Sequence, residues 1–317
     1  MIETLKALDA VRLNFSEQGL FVLNITLAFI MFGVALEIKF EHFRNVFVQK
    51  KTPVIGFISQ FLILPLLTFI LVIALNKFIT PTIAMGMILV AACPGGNISN
   101  FISSLAKGNA ALSVTLTAIA TISAIVLTPF NFLFWGGMYA RFINHLDTSK
   151  LLRPLEIDPF QVFQSVFILL GIPLIIGMVV NHFFPKITEK IKRPIKTLSI
   201  ILFAIIVLLA FKKNYDHFLH YIKYIFVIVL AHNALGLSSG YFFARIFPVG
   251  ERNRRTIAIE TGIQNSGLAL VLLFNPKVFP LDLANGGMAF IAAWWGIWHI
   301  LSGLALAGFW SLRTPKD

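Results

Sequence analysis

Charged residues and cysteines are scarce in this 317-residue chain. Only 13% of its residues are Asp, Glu, Lys or Arg, whereas 57% are hydrophobic. A soluble domain of this length needs more polar surface, so the composition predicts an all-α polytopic membrane protein. The single cysteine, Cys93, excludes an intramolecular disulfide and a cysteine-based metal cluster.

The first 18 residues lack the apolar core and cleavage site of a signal peptide. Ile2, Leu5, Leu8 and Leu13 instead recur at roughly helical spacing, which predicts an interfacial amphipathic segment over 1–18. The net charge of +12 does not indicate nucleic-acid binding, because no basic patch is interleaved with aromatic-bearing strands. In a membrane protein, basic excess marks cytoplasmic loops.

A transmembrane helix needs about 20 mostly apolar residues. Nine transmembrane helices are predicted, at 19–38, 54–76, 82–106, 110–138, 159–183, 195–211, 224–247, 257–275 and 284–312. Of the 26 lysines and arginines, 16 lie on or near the side that carries the tail, 313–317. The positive-inside rule therefore predicts a multi-pass protein of the cell membrane with its N-terminus outside and a cytoplasmic C-terminal tail.

Polar residues interrupt two of these spans. The third contains Pro94-Gly95-Gly96-Asn97, and the eighth contains IETGIQNSG at 259–267. The third and the eighth span are five positions apart in the order of spans, and because five is odd they cross the membrane in opposite directions. Each is followed directly by another long span. This arrangement predicts an inverted-repeat transporter with one discontinuous helix in each half and a site near the midplane. The alternative is a pair of kinks relieved by neighbouring helices.

Glu260 is the acidic residue that lies well inside a predicted span. A charge at the bilayer centre costs about 2.5–3.5 kcal/mol, so such residues usually face a cavity and serve function. The alternative is a protonated glutamate that bonds a neighbouring helix. Oxygen donors for a hard cation are available nearby, in Ser99, Asn100, Ser113, Thr117 and Gln264. A monovalent cation or a proton fits this set better than zinc or copper.

Two half-helices are predicted to begin near Ile98 and Ser266, with their N-termini at the interruptions. Helix N-termini attract anions, so an anionic substrate group could bind there. His232, Asn233 and His299 are also polar in apolar surroundings, which is more typical of helix-packing hydrogen bonds than of a proton relay.

Four segments resemble the bile acid:sodium symporter family: CPGGNISN (93–100), LAKGNAALSV (105–114), ETGIQNSGLA (260–269) and WHILSG (298–303). The similarity runs in register from about residue 28 to residue 311. It implies a core domain, 54–138 and 224–312, that holds two crossed discontinuous helices. It also implies a panel domain, 19–53 and 159–223, within a single transporter unit, 19–312.

The resemblance implies two sodium sites. The first would use Ser99, Asn100, Ser113, Thr117 and Glu260, and the second Gln60, Glu260, Thr261, Ile263 and Gln264. Thr261 and Ile263 would act through their backbone carbonyls. The residues expected to contact substrate are Asn97, Asn265, Ser266 and His299. The sequence departs from many bacterial relatives at Asn97, where they carry Thr, and at Ile300, where they carry Asn, so the substrate of one relative does not transfer.

The expected function is sodium-coupled import of an organic anion, bile-acid-like or a small carboxylate, by a secondary active symporter. Two sodium ions would be the coupling ions, with no organic cofactor, and the partners would be the substrate, sodium and the lipid bilayer. The alternative is a proton-coupled or sodium-independent organic anion transporter or exporter of the same fold. An enzyme is not expected, because no nucleophile–base pair or metal cluster stands in register.

We expect Asn97→Thr to change the order in which organic anions are preferred, because Asn97 precedes the sodium ligands by about one turn. Uptake of an anion panel into proteoliposomes measures this preference. An unchanged preference would contradict the assignment of Asn97 to the substrate.

Overall fold

The structure is a computed structural model, and it describes residues 2–9, 17–38, 51–96, 98–146, 158–213, 215–275, 278–279 and 285–315. Within these ranges the regular elements are helices, as the composition predicts. They are α1 Ile2–Asp9, α2 Glu17–Ala35, α3 Lys51–Ala74, α4 Pro81–Ala92, α5 Ile98–Leu105, α6 Ala110–Leu146, α7 Pro159–Phe183, α8 Pro185–Lys213, α9 Tyr215–Arg245, α10 Glu251–Gly262, α11 Ser266–Leu273 and α12 Gly286–Ser311.

Five helices, α3, α6, α7, α9 and α12, are long and apolar enough to cross a membrane. Large apolar side chains on these helices also point outward. Phe130 and Phe134 on α6 and Ile175 and Ile176 on α7 are about half exposed. Outward-facing apolar surface on long apolar helices is what lipid contact requires, so the chain is a multi-pass membrane protein.

The helices end and restart where the sequence predicts the two interruptions. The α4 helix ends at Ala92, and α5 begins at Ile98. The α10 helix ends at Gly262, and α11 begins at Ser266. Cys93 and Ile263, the first residues after α4 and α10, both adopt extended backbone conformations, which stop the helical hydrogen-bond ladder.

Some predicted boundaries are wrong. Residues 184–194 were expected to form a loop, but α8 begins at Pro185, where a proline is compatible with the first helical position. Residues 248–256 were likewise expected to form a loop, but α10 begins at Glu251. Its first turns are supported by an i,i+4 ion pair between Glu251 and Arg255, with 3.2 Å between Oε1 and Nε.

The helices pack in two groups. One is α2 with α7 and α8. The other combines α4 with α6 and α12, and α9 with α10. Phe132, Tyr139 and Trp295 are among the largest fully buried side chains, and all three lie on α6 or α12 of the second group. The interrupted helices therefore sit in a dense interior.

Helices α9 and α10 approach each other closely at small residues. Gly236 and Gly240 on α9 form a G-x-x-x-G pair that faces α10. A Cβ at Gly240 would lie 2.8 Å from Ala258 Cα, and a Cβ at Gly236 would lie 3.3 Å from Gly262 Cα. Small residues permit such contact between membrane helices, so short polar side chains can reach across this interface.

The N-terminal helix α1 docks on protein. Leu5 and Leu8 are fully buried, and α1 packs against α9 and α12. The apolar face predicted for this segment therefore exists but contacts neighbouring helices. The Asp9 carboxylate accepts hydrogen bonds from Thr80 Oγ1, at 2.9 Å, and from Thr82 Oγ1 at the start of α4. Leu13 lies outside the described residues.

We expect docking of α1 to weaken as the pH rises. Burial raises the pKa of Asp9 from its usual 3.8 to about 6, against the opposing hydrogen bonds from Thr82 and Thr80. The docked state therefore holds the proton more tightly than the undocked state. Docking is strongest below the undocked pKa and is progressively lost as the pH rises through about 6.

Hydrogen exchange of residues 2–9, converted to an opening free energy at each pH, measures this dependence. Asp9→Asn should abolish it, because an amide does not titrate. Glu3→Gln, at an exposed carboxylate paired with Lys6, should leave it unchanged. An opening free energy in the native protein that stays constant between about pH 5 and 7 would contradict the expectation.

Candidate functional site

The two interruptions meet each other through their backbones. An isolated antiparallel bridge joins Gly95 and Gln264. Gly96 N donates to Ile263 O at 2.8 Å, and Asn265 N donates to Pro94 O at 2.8 Å. Backbone groups that leave the helices are thus paired with one another, as a nonhelical segment at membrane depth requires.

The glycines of the first interruption permit this approach. A Cβ at Gly95 would lie 3.2 Å from Glu260 Oε2 and 3.3 Å from Glu260 O. A Cβ at Gly96 would lie 3.1 Å from Gln264 O. A Cβ at either position would require its neighbours to move by a few tenths of an ångström, so Gly95 and Gly96 serve this close approach rather than an unusual backbone conformation.

Four of the predicted sodium ligands come together around a fifth, Glu260. Ser99 Oγ donates to Glu260 Oε1 at 2.7 Å, and Ser113 Oγ contacts the same oxygen. Thr117 Oγ1 donates to Glu260 Oε2 at 3.1 Å. Ser113 and Thr117 also lie 2.9 and 3.1 Å from Asn100 Oδ1. These residues come from α5, α6 and α10, so the cluster exists only in the folded chain.

The Glu260 cluster has more hydrogen-bond acceptor sites than protons to fill them. Its members are Ser99, Asn100, Ser113, Thr117 and Glu260. Its three hydroxyl groups carry three protons, but they make five contacts with carboxylate and amide oxygens. Glu260 is 4% exposed, and no lysine or arginine of the described ranges forms an ion pair with it. A buried carboxylate without a cationic partner favours uptake of a cation or a proton.

The remaining predicted sodium ligands form a second group beside the first. Gln60 Nε2 donates to Cys93 O at 3.1 Å and to Gln264 Oε1 at 2.9 Å. Gln264 Nε2 donates to Thr261 O at 2.6 Å. The amide oxygen of Gln60 is buried and, within the described residues, has no hydrogen-bond donor. An oxygen in this state is a ready cation ligand.

A local distortion of α3 accompanies the placement of Gln60. Residues Ser59–Ile63 form a π-helical turn within α3. Pro65 has no N–H and cannot bond Phe61 O, and that carbonyl instead accepts from Asn131 Nδ2 at 3.0 Å. Turns of this kind often occur at functional sites. Residue patterns alone did not single out Gln60. Pro65, five residues later, was the available signal of a disturbed helix at this place.

The α10 helix is also fixed at the end opposite its interruption. Arg255 is 3% exposed, and its Nη1 donates to Ala106 O and Trp310 O, each at 3.0 Å. These carbonyls belong to the chain just after α5 and to the end of α12, where cationic donors are favoured. Arg255 lies in the segment 248–256, which was expected to form a loop, so its place inside a helix was not predicted.

The described residues expected to contact substrate lie at the start of α11 and on α12, outside the two groups of predicted sodium ligands. Asn265 Oδ1 caps α11 by accepting from Leu268 N at 3.1 Å, which leaves its NH₂ group for other partners. Ser266 Oγ lies beside Gly296 on α12, where a Cβ would be 2.7 Å from it. His299 follows Gly296 by three residues and so shares a helix face with it. Asn97 lies outside the described residues.

Comparison with known proteins identifies related sequences. The model of the sodium bile acid symporter family matches residues 24–221. An uncharacterized sodium-dependent transporter of Bacillus subtilis is 33% identical over 309 residues, 96% of this chain and 89% of its own. A probable chloroplastic sodium/metabolite cotransporter of Arabidopsis thaliana is 29% identical, covering 92% of this chain and 67% of its own. The human ileal sodium/bile acid cotransporter is 29% identical, covering 87% and 78% respectively.

We expect Gly95→Ala to destabilise the protein, because the added methyl group presses on both Glu260 Oε2 and Glu260 O. Overpacking of this kind costs about 1–3 kcal/mol. The unfolding midpoint in detergent measures the effect. The matched control is Gly137→Ala, where a Cβ meets nothing within 4 Å and stability should be kept or raised. Equal midpoints for the two variants would contradict this account.

Proposed function

Because the chain belongs to the sodium bile acid symporter family, we propose that it is a secondary active transporter that imports an organic anion together with sodium by alternating access. The observation that supports this most directly is the Glu260 cluster. A buried carboxylate with three hydroxyl groups and an amide oxygen offers the oxygen ligands that a hard cation takes. Uptake of sodium there would neutralise the buried charge.

The proposal assigns two sodium ions to two neighbouring sites that share Glu260. The first consists of Ser99, Asn100, Ser113, Thr117 and Glu260. The second consists of Gln60, Glu260, Gln264 and the carbonyls of Thr261 and Ile263. Its support is the donor-free amide oxygen of Gln60, together with the hydrogen bonds that join Gln60, Gln264 and Thr261 O.

The architecture in this proposal is a nine-span inverted repeat. The α4–α5 and α10–α11 pairs are its two crossed discontinuous helices, within a core domain of 54–138 and 224–312. The proposed panel domain is 19–53 and 159–223, and the contacts of α2 with α7 and α8 support it. The positive-inside rule supports an external N-terminus and a cytoplasmic C-terminus.

The proposed substrate is an organic anion, bile-acid-like or a small carboxylate. Its charged group would lie between the N-termini of α5 and α11, where the positive ends of the helix dipoles favour an anion. Asn97, Asn265, Ser266 and His299 would surround it. Relatives described as transporters of metabolites and of bile acid are similar to this chain at the same 29% identity, so identity alone does not select the substrate.

If two sodium ions accompany one monovalent anion, each cycle moves one net positive charge inward. A membrane potential of 100 mV then contributes about 2.3 kcal/mol, which is about a 50-fold accumulation of the anion. An inward current that depends on both sodium and substrate is the corresponding electrical signature.

A proton-coupled transporter of the same fold is the second candidate. The observation that favours it is the same buried, uncompensated Glu260, since protonation would also remove its charge. Substrate flux that follows an imposed pH gradient and ignores sodium would select this candidate.

We expect Glu260→Ala to abolish sodium-dependent uptake into proteoliposomes, because both proposed sodium sites lose their only carboxylate. Sodium should also raise the unfolding midpoint of the native protein but not of the variant, since a ligand present at 100 times its Kd stabilises by about 2.7 kcal/mol. Glu189→Ala removes an exposed carboxylate paired with Lys192 and should behave as the native protein. Normal sodium-dependent uptake by Glu260→Ala would refute the assignment.

A further inference from the structure

A buried asparagine on α9 contacts the interruption of the α10–α11 pair. Asn233 is 1% exposed, and its Nδ2 donates to Gly262 O at 2.8 Å. Ser302 Oγ on α12 donates in turn to Asn233 Oδ1. Asn233 thus connects the last residue of α10 to α12 through two hydrogen bonds. None of the sodium or substrate roles described above includes Asn233 or Ser302.

The Gly262 carbonyl needs this donor because the helix is interrupted. In a continuous helix it would accept from Ser266 N, four residues later. Ser266 N bonds Gln264 O instead, at 3.0 Å. The close approach of α9 at Gly236 and Gly240 brings the short Asn233 side chain within reach of this carbonyl.

Gln60 makes the corresponding contact in the first half of the chain. Its Nε2 bonds Cys93 O, the carbonyl that follows α4 at the first interruption. The donor precedes its carbonyl by 33 residues in the first half and by 29 in the second. The predicted spans that carry Gln60 and Asn233 lie five apart, as do the two interrupted spans, so both amides occupy matching places in the proposed repeat.

The two amides differ at their oxygens. Gln60 Oε1 has no donor within the described residues, whereas Asn233 Oδ1 is occupied by the Ser302 hydroxyl. The oxygen of the first amide is therefore open to an ion, whereas the oxygen of the second is held by Ser302.

We propose that Asn233, held by Ser302, is a positioning residue for the second sodium site. It fixes Gly262 between Thr261 and Ile263, whose carbonyls would bind that ion, and so sets their direction without contacting the ion. This inference rests on the proposed sodium coupling. Residues that orient ligands in this way typically change ion affinity about 10- to 100-fold when removed.

The test titrates sodium against the unfolding midpoint of the purified full chain without substrate. Asn233→Leu should raise the half-maximal sodium concentration about 10-fold and lower the Hill coefficient toward 1. Ser302→Ala should shift it in the same direction by less, because the Asn233–Gly262 bond remains. Ser302→Ala also keeps the test available if Asn233→Leu does not fold. The matched control is Ser238→Ala on α9, the helix that carries Asn233. The Ser238 hydroxyl donates to Ala234 O of its own helix.

A double-mutant comparison separates positioning from general destabilisation. Where Gln60→Leu has removed the second binding event, as a Hill coefficient of 1 would show, Gln60→Leu/Asn233→Leu should bind sodium no more weakly than Gln60→Leu alone. Additive losses, or native sodium titrations in both Asn233→Leu and Ser302→Ala, would overturn the inference while leaving sodium coupling intact. A native protein whose midpoint ignores sodium would overturn sodium coupling itself, and the inference with it.

Discussion

Backbone carbonyl groups at membrane depth need hydrogen-bond donors, and an interrupted helix leaves several of them without one. In this chain three of these carbonyls accept from three different donors. Cys93 O accepts from Gln60 Nε2, Gly262 O accepts from Asn233 Nδ2, and Ile263 O accepts from Gly96 N. The two interruptions are therefore stable only because α3, α9 and the opposite interruption supply these groups. The polar residues that satisfy the backbone also create the site.

The two charged side chains Glu260 and Arg255 of α10 have different kinds of partner. Glu260 lies at the end of α10, surrounded by hydroxyl and amide groups rather than by lysine or arginine within the described residues. Arg255, one and a half turns earlier, is directed to the carbonyls of Ala106 and Trp310 at the other end of the helix. Arg255 thus binds carbonyls at helix ends, and Glu260 has no lysine or arginine partner among the described residues, which is compatible with the proposed binding of a cation.

The sequence was informative wherever a residue type is costly in lipid. Proline, glycine and one carboxylate predicted both interruptions. Ser113 and Thr117, which the sequence offered as oxygen donors, both contact the Glu260 carboxylate in the structure. It was not informative where the outcome depends on contacts between distant segments. Gln60 and Asn131 are ordinary amides by composition, and only the fold shows which carbonyls they reach. Helix starts at Pro185 and Glu251 were missed because polar, basic residues can form helix outside the bilayer as readily as loops.

The π-helical turn at Ser59–Ile63 has a consequence for how this gene can vary. Such a turn accommodates one extra residue without lengthening the helix, so its two flanks differ in phase by about 100° from a regular α-helix. Loss of a single codon within this stretch would restore a regular helix and turn one flank by that angle. Gln60 or the α3 surface beyond Pro65 would then face the wrong neighbours. Insertions and deletions should therefore be rarer in this turn than substitutions of its lipid-facing residues, such as Leu62.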